Sequence, residues 1–182
     1  MKIVGVDPSL TGTGVAVIRD GRFTGATVIK DSRWKKRAPQ TERERQERLD
    51  VILCRVSEWA VGADLVVLEG LSFDSHDTMR QLAGLSWLLR RQCWKADRPF
   101  VLVPPSTLKL WAVDHGKADK GVMLAAARET FPGVEIEDDN AADAVWLAAL
   151  GADHLGYPLV DMPERRAQAL AKVAWPTPAV AA

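Results

Sequence analysis

The chain is 182 residues long, 47% apolar and 26% charged, with 24 basic residues balanced by 24 acidic ones. That length suits one well-buried domain and excludes two of ordinary size; the charge balance argues against a protein that coats nucleic acid by bulk charge. Two cysteines outside any CxxC pair exclude a disulfide framework, no apolar stretch reaches a membrane span, and the first residues lack a leader pattern, so a cytoplasmic protein is expected.

Residues 1–14, MKIVGVDPSLTGTG, open with an apolar run (Ile3, Val4, Val6) that ends on Asp7 before a Pro8–Gly12 turn. The run reads as a buried strand. Asp suits a strand interior poorly, and a buried carboxylate is costly unless paired or metal-bound. Taken alone, Asp7 is most simply a turn-initiating Asp before proline. Val15–Ile18 gives a second strand, Asp20-Gly21 a primed hairpin turn, and Arg22–Ile29 a third strand, so residues 2–30 read as an antiparallel meander. A basic loop follows, carrying Arg33, Trp34, Lys35, Lys36 and Arg37.

Thr41 with Glu44 forms a capping box for a helix to Ala60, ended by Gly62. LVVLE, residues 65–69, repeats the logic of the first strand: an apolar run closed by a carboxylate, Glu69. A helix over Asp74–Lys95 is apolar on more than one face, as expected if it packs on a sheet and also meets a partner. Trp59, Trp87 and Trp146 stand at helical positions suited to packing. Pro99–Val103 is a short strand; Ser106 or Thr107 opens a short helix with Lys109; Asp119 caps a helix over Lys120–Phe131. The acidic stretch Glu135–Asn140 leads into a last helix, AADAVWLAALGADHL, with Ala144, Leu147 and Ala148 on its packing face. From Met162 a helix can begin, and the Pro- and Ala-rich end reads as a loose tail. Strand and helix order implies right-handed parallel crossovers and a mixed α/β sheet covered on both faces.

If the first and fourth strands are parallel neighbours, Asp7 and Glu69 emerge at one sheet edge. A helix across that edge brings Asp143 there, with Asp139 at i−4 or Asn140 at i−3. Carboxylates about 4 Å apart repel by roughly 4 kcal/mol per pair at an effective dielectric near 20. Such a group persists only when protonated or neutralised by a cation. An all-oxygen donor set suits Mg²⁺ or Mn²⁺ rather than zinc. Two such ions about 3.5–4 Å apart can activate water and stabilise the leaving oxygen of a phosphodiester.

Four stretches in this order, GVDPSLTGTGVAVI, VVLEGLSF, PPSTLKLWAVDHGKADKGVM and DDNAADAVWLA, resemble the RuvC-type Holliday junction resolvases of the ribonuclease H-like superfamily, from about Ile3 to Leu155. The resemblance implies a ribonuclease H-like mixed five-stranded sheet, three antiparallel strands then two parallel, in a nuclease domain over 1–158 with a C-terminal helix or tail over 159–182. It implies a homodimeric endonuclease that cuts four-way DNA junctions by paired nicks, with two Mg²⁺ ions per site or Mn²⁺ in their place. Asp7, Glu69 and Asp143 match the family's acidic residues. Asn140 stands where the family usually has Asp or His, so either Asp139 or Asn140 completes the metal shell. Lys109 and Lys120 match conserved basic positions, Lys120 stabilising charge on the phosphate, and Phe73 matches an aromatic that could wedge against a base.

Lys117 joins the DNA-contacting group by charge clustering, and Arg33, Lys35 and Lys36 as backbone contacts on the basic loop. Arg90 and Arg91 suit a dimer rim or DNA equally. His76, His115 and His154 read as ordinary residues. Two rival readings stand beside the resolvase: a ribonuclease H-like RNA-processing nuclease, and a catalytically weakened binder of branched DNA, which Asn140 keeps open. The Asp-Pro/Thr-Gly turn is shared with sugar kinases, but those need two such domains. A branch-migration partner is not identifiable from the sequence.

Overall fold

The computed structural model describes residues 1–31, 41–71, 77–161 and 164–176. Among these, five strands form one sheet: β1 (Lys2–Asp7), β2 (Thr13–Arg19), β3 (Arg22–Ile29), β4 (Leu65–Glu69) and β5 (Phe100–Val103). The spatial order is β3-β2-β1-β4-β5, with β3, β2 and β1 antiparallel and β1, β4 and β5 parallel. The meander and the two later parallel strands expected from the sequence are both present. Asp20 and Gly21 both take positive φ (49° and 76°), as a type I′ hairpin turn requires.

Every residue of β1 is buried, because helices cover both faces of the sheet. On one face α1 (Glu42–Ala60) and α2 (Asp77–Lys95) pack Ile52, Val56, Leu85 and Leu89 against Val4, Val6, Val15, Val17, Val66 and Leu68. The capping box is formed: Glu44 N–H donates to the Thr41 hydroxyl, and Thr41 N–H donates to the Glu44 carboxylate. On the other face lie α3 (Pro105–Val113), α4 (Lys120–Thr130), α5 (Asp139–His154) and α6 (Glu164–Leu170), over Ile3, Ala16, Ile18, Leu65 and Val67.

Helix α5 is the centre of that layer. The sequence suggested a single packing face, but Ala141 to Ala152 are all buried, since the sheet covers one side and α3 and α4 the other. Trp146 Nε1 donates to the Met123 carbonyl (3.2 Å) and Trp111 Nε1 to Asp153 Oδ2 (3.2 Å), pinning α4 and α3 to α5. The indole of Trp111 meets that of Trp146 edge-on, 5.9 Å between centroids.

On its sheet side α5 meets two positions that have no side chain. A Cβ on Gly5 would stand 2.1 Å from the Ala144 carbonyl oxygen, and one on Gly14 2.0 Å from that of Asn140. The helix backbone therefore lies directly on the strand backbones. A glycine inside a strand is the sequence sign of such an approach, and Gly5 stands within the first apolar run.

Three other expectations are corrected. Helix α3 begins at Pro105, behind Pro104, rather than at Ser106 or Thr107, because a proline in the first turn gives up an N–H that has no helical partner there. Trp87 does not pack in the core: it is 66% exposed. The N-cap of α5 is Asp138, and its first helical residue is Asp139. Residues 164–176 fold back, with Ala169 and Val173 buried, Arg166 Nη2 donating to the Ala112 carbonyl (3.0 Å), and Trp175 stacked on His154 at 3.8 Å. The Pro- and Ala-rich end, from residue 177, lies outside the described residues.

Replacing Gly5 by Ala should cost about 3 kcal/mol or prevent folding, because helix backbone rather than a movable side chain occupies the space. Gly84→Ala, on α2 with nothing within 4 Å, should be neutral or stabilising by up to about 1 kcal/mol. Urea denaturation of both variants checks the contrast.

Candidate active site at the edge of β1 and β4

Alternation along β1 puts Ile3, Gly5 and Asp7 on the face toward α5, and along β4 it does the same for Leu65, Val67 and Glu69. The parallel register pairs Val6 with Leu68, so Asp7 and Glu69 follow side by side as both strands end. The turn after Asp7 does not need the Asp side chain. Ser9 N–H donates to Thr13 Oγ1 (3.1 Å), which donates to the Ser9 carbonyl (2.7 Å), and this closes the turn. Asp7 is instead hydrogen-bonded to Glu69. The turn-initiating reading of Asp7 is thereby displaced.

The approach of α5 adds Asp143. Asp7 and Asp143 are each only 7% exposed. Burial, the charge of Glu69, the Asp7–Glu69 hydrogen bond and the charge of Asp143 together push Asp7 well above the ordinary carboxylate range. Burial raises Glu69 as well, against the hydrogen bond from Asp7 and the charges of Lys109 and Lys120. Asp143 is pushed up to about 7 by burial first and the charge of Glu69 second, with Lys120 and Lys109 opposing. The three carboxyls therefore retain protons at pH values where exposed ones have lost them.

The acidic run before α5 divides its charges among separate tasks. Glu137 pairs with Lys30 at the end of β3. Asp138 caps the helix, accepting from the N–H groups of Asn140 (3.0 Å) and Ala141 (3.1 Å). Asp139 forms an ion pair with Lys120, the first residue of α4, and that bond holds its carboxyl below the usual range. Asn140 lies over the β1–β2 turn, its Nδ2 3.3 Å from where a Gly12 Cβ would be. Arg128, from the last turn of α4, donates to the carbonyls of Ile136 (2.8 Å) and Glu137 (3.1 Å) and fixes the segment entering α5. None of these supports was foreseen; in a string of three consecutive acids the cap cannot be told from the ligand by composition.

Among the other sequence candidates, Lys109 is half-buried on α3, close enough to act on Glu69 and Asp143. Burial alone would lower Lys120, but its bond to Asp139 and the charges of Asp139, Asp7 and Asp143 leave it raised. Lys117 is exposed on the loop before α4. Arg33, Lys35, Lys36, Phe73 and His76 lie outside the described residues.

Among the described residues no group of three or more His, Cys, Asp or Glu side chains is arranged to hold a metal ion; Asp7 and Glu69 are turned to each other instead. The donor chemistry nevertheless fits a hard divalent cation. Three mutually repelling carboxyls share one buried edge, and Asp143 Oδ1 is buried with no hydrogen-bond partner. A cation there would replace protons as the neutralising charge.

No family model matches the sequence. The chain is 28% identical to the crossover junction endodeoxyribonuclease RuvC of Sphingopyxis alaskensis over 156 residues, 85% of this chain and 98% of that protein. It is 29% identical to the protein of the same name from Saccharopolyspora erythraea over 178 residues, 96% of this chain and 85% of that one. Its fold matches that of Thermus thermophilus RuvC in complex with a Holliday junction substrate with a TM-score of 0.66, at 20% identity, covering 86% of this chain and 98% of that one.

The raised carboxyls fix the sign of a pH effect. A folded pKa above the unfolded one means that the folded state binds more protons between the two values, so stability falls as pH rises through that window. In EDTA, stability should therefore decline from about pH 4 to above pH 7 as Asp143 and its neighbours ionise. Asp143→Asn should flatten that decline and be more stable than wild type at pH 8 by on the order of 1–3 kcal/mol. Mg²⁺ should stabilise wild type at pH 8 more than the variant. Thermal denaturation across pH, with and without Mg²⁺, checks each point.

Proposed function

We propose that this chain, RuvC-like in sequence over most of its length and in fold, is a structure-selective endodeoxyribonuclease that resolves four-way DNA junctions in the cytoplasm. The observation that carries the reading is the meeting of Asp7, Glu69 and Asp143, from three distant parts of the sequence, at one buried sheet edge. Structural roles for such a group are hard to find, since unneutralised carboxylates in contact oppose folding. In this reading Asp7, Glu69 and Asp143 hold divalent cations, Mg²⁺ or Mn²⁺ and two per site, with Asp139 or Asn140 completing the shell. When bound, such ions lower the pKa of water and stabilise charge on the leaving oxygen of a phosphodiester.

The chain's own groups supply the remainder. Lys120 and Lys109 enter from α4 and α3, reduce the negative potential around the carboxylates and orient a phosphate beside them. The N–H groups at the start of α5 are occupied by Asp138, so the phosphate depends on lysines rather than on the helix terminus. Lys117, Arg33, Lys35 and Lys36 extend the contact along the DNA backbone, and Phe73 stacks on a base near the branch point.

Paired nicks need two sites, and α2 offers a surface for a second copy. Trp87 and Trp94, seven residues apart on one helix face, are 66% and 72% exposed, with the Arg90 guanidinium over the Trp87 ring at 3.8 Å. Exposed tryptophans so placed favour burial in a twofold contact. Replacing Trp94 by Glu should convert a dimer to a monomer in sedimentation velocity and uncouple the two nicks.

The deciding experiment is Mg²⁺-dependent nicking of a synthetic four-way junction against linear duplex DNA and structured RNA. Junction cleavage is expected; cleavage of RNA alone overturns the reading in favour of an RNA-processing nuclease, and tight junction binding without cleavage in favour of a binding protein. Asp7→Asn should abolish cleavage, a loss of at least about 10³-fold, while leaving junction affinity intact.

A further inference from the structure

We propose that Asp139 is a positioning residue, which fixes the Lys120 ammonium beside the carboxylates and is not itself a cation ligand. This rests on the nuclease reading above for what Lys120 does, but not for where Asp139 spends its charge. Asp139 and Asp143 stand one turn apart and share a helix face, yet their surroundings are opposite. Asp143 is buried among acids, and its Oδ1 has no hydrogen-bond partner. Asp139 has a side chain 31% exposed and spends its charge on Lys120 Nζ. A cation reaching Asp143 meets a buried oxygen with no hydrogen-bond partner; one reaching Asp139 must first displace an ammonium.

The backbone of Lys120 is held independently of this pair. Asp119 caps α4, accepting from Val122 N–H at 2.9 Å. What the cap leaves free is the four-carbon side chain of Lys120, 69% exposed, which without an anchor samples many rotamers. The ion pair with Asp139 joins the first residues of α4 and α5 and keeps that ammonium in the field of Asp7 and Asp143. On the next residue Asn140 turns toward Gly12. The first turn of α5 thus assigns one acid to the lysine and leaves the amide beside the β1–β2 turn.

Two measurements on the whole protein test this. The first is Mn²⁺ binding to DNA-free protein, followed by electron paramagnetic resonance. Asp139→Asn should leave the affinity for the first ion within about threefold of wild type, whereas Asp143→Asn should weaken it more than about tenfold. The second is a double-mutant cycle on single-turnover junction cleavage. Lys120→Met should slow cleavage about 100-fold. Asp139→Asn should slow it about fivefold in wild type and not further in the Lys120→Met background, and Asp139→Glu should recover most of the rate.

The proposal is overturned if Asp139→Asn weakens Mn²⁺ binding as Asp143→Asn does, or if its effect multiplies with that of Lys120→Met. Should wild type cut no junction, the nuclease reading fails on its own, and the Mn²⁺ titration still decides whether Asp139 is a ligand. Amine acetylation read by mass spectrometry then decides the positioning: Lys120 should react faster in Asp139→Asn than in wild type, and equal reactivity overturns it.

Discussion

Everything at the acidic edge depends on how closely α5 lies on the sheet. At Gly5 and Gly14 no side chain separates the helix backbone from the strand backbones, and carbonyl oxygens of Ala144 and Asn140 fill the space a Cβ would take. A helix normally rides on a layer of side chains about 10 Å from its neighbour; here that layer is missing at two positions. The missing layer brings the first turns of α5 down to the ends of β1 and β4, and so brings Asp143 to Asp7 and Glu69. The same closeness excludes water, which is why burial is the first cause of the raised pKa of all three carboxyls.

The charge of this region is arranged rather than merely accumulated. Four consecutive charged or amide-bearing positions, Glu137 to Asn140, meet four different surroundings: Lys30, the α5 terminus, Lys120 and the β1–β2 turn. The lysines opposing the carboxylates come from α3 and α4, whose places are set by contacts outside the site. Trp146 ties α4 to α5, Trp111 with Asp153 ties α3 to α5, and Arg166 ties α3 to the returning C-terminal segment. A balanced overall charge is therefore compatible with a strongly polarised acidic edge. The sheet's opposite face has a different task, packing α1 and α2 while turning Trp87 and Trp94 outward.

Much of this is readable along the chain, for a local reason. Strand ends at Asp7 and Glu69 follow from apolar runs that stop on a residue poorly suited to continue them, the Asp20-Gly21 turn from the positive φ it requires, and the helix starts at Thr41 and Asp119 from capping chemistry. Those signals need only neighbours in sequence, and together with the order of strands and helices they already specify a mixed sheet with two acids at one edge. Tertiary structure decided what depends on partners far away: that Gly5 is a contact surface, that Trp87 faces out while α5 is buried all round, and that Asp139 is spent on Lys120. Aspartates one turn apart are chemically alike, and it takes the placement of Lys120, nineteen residues before Asp139, together with the burial of Asp143, to distinguish them.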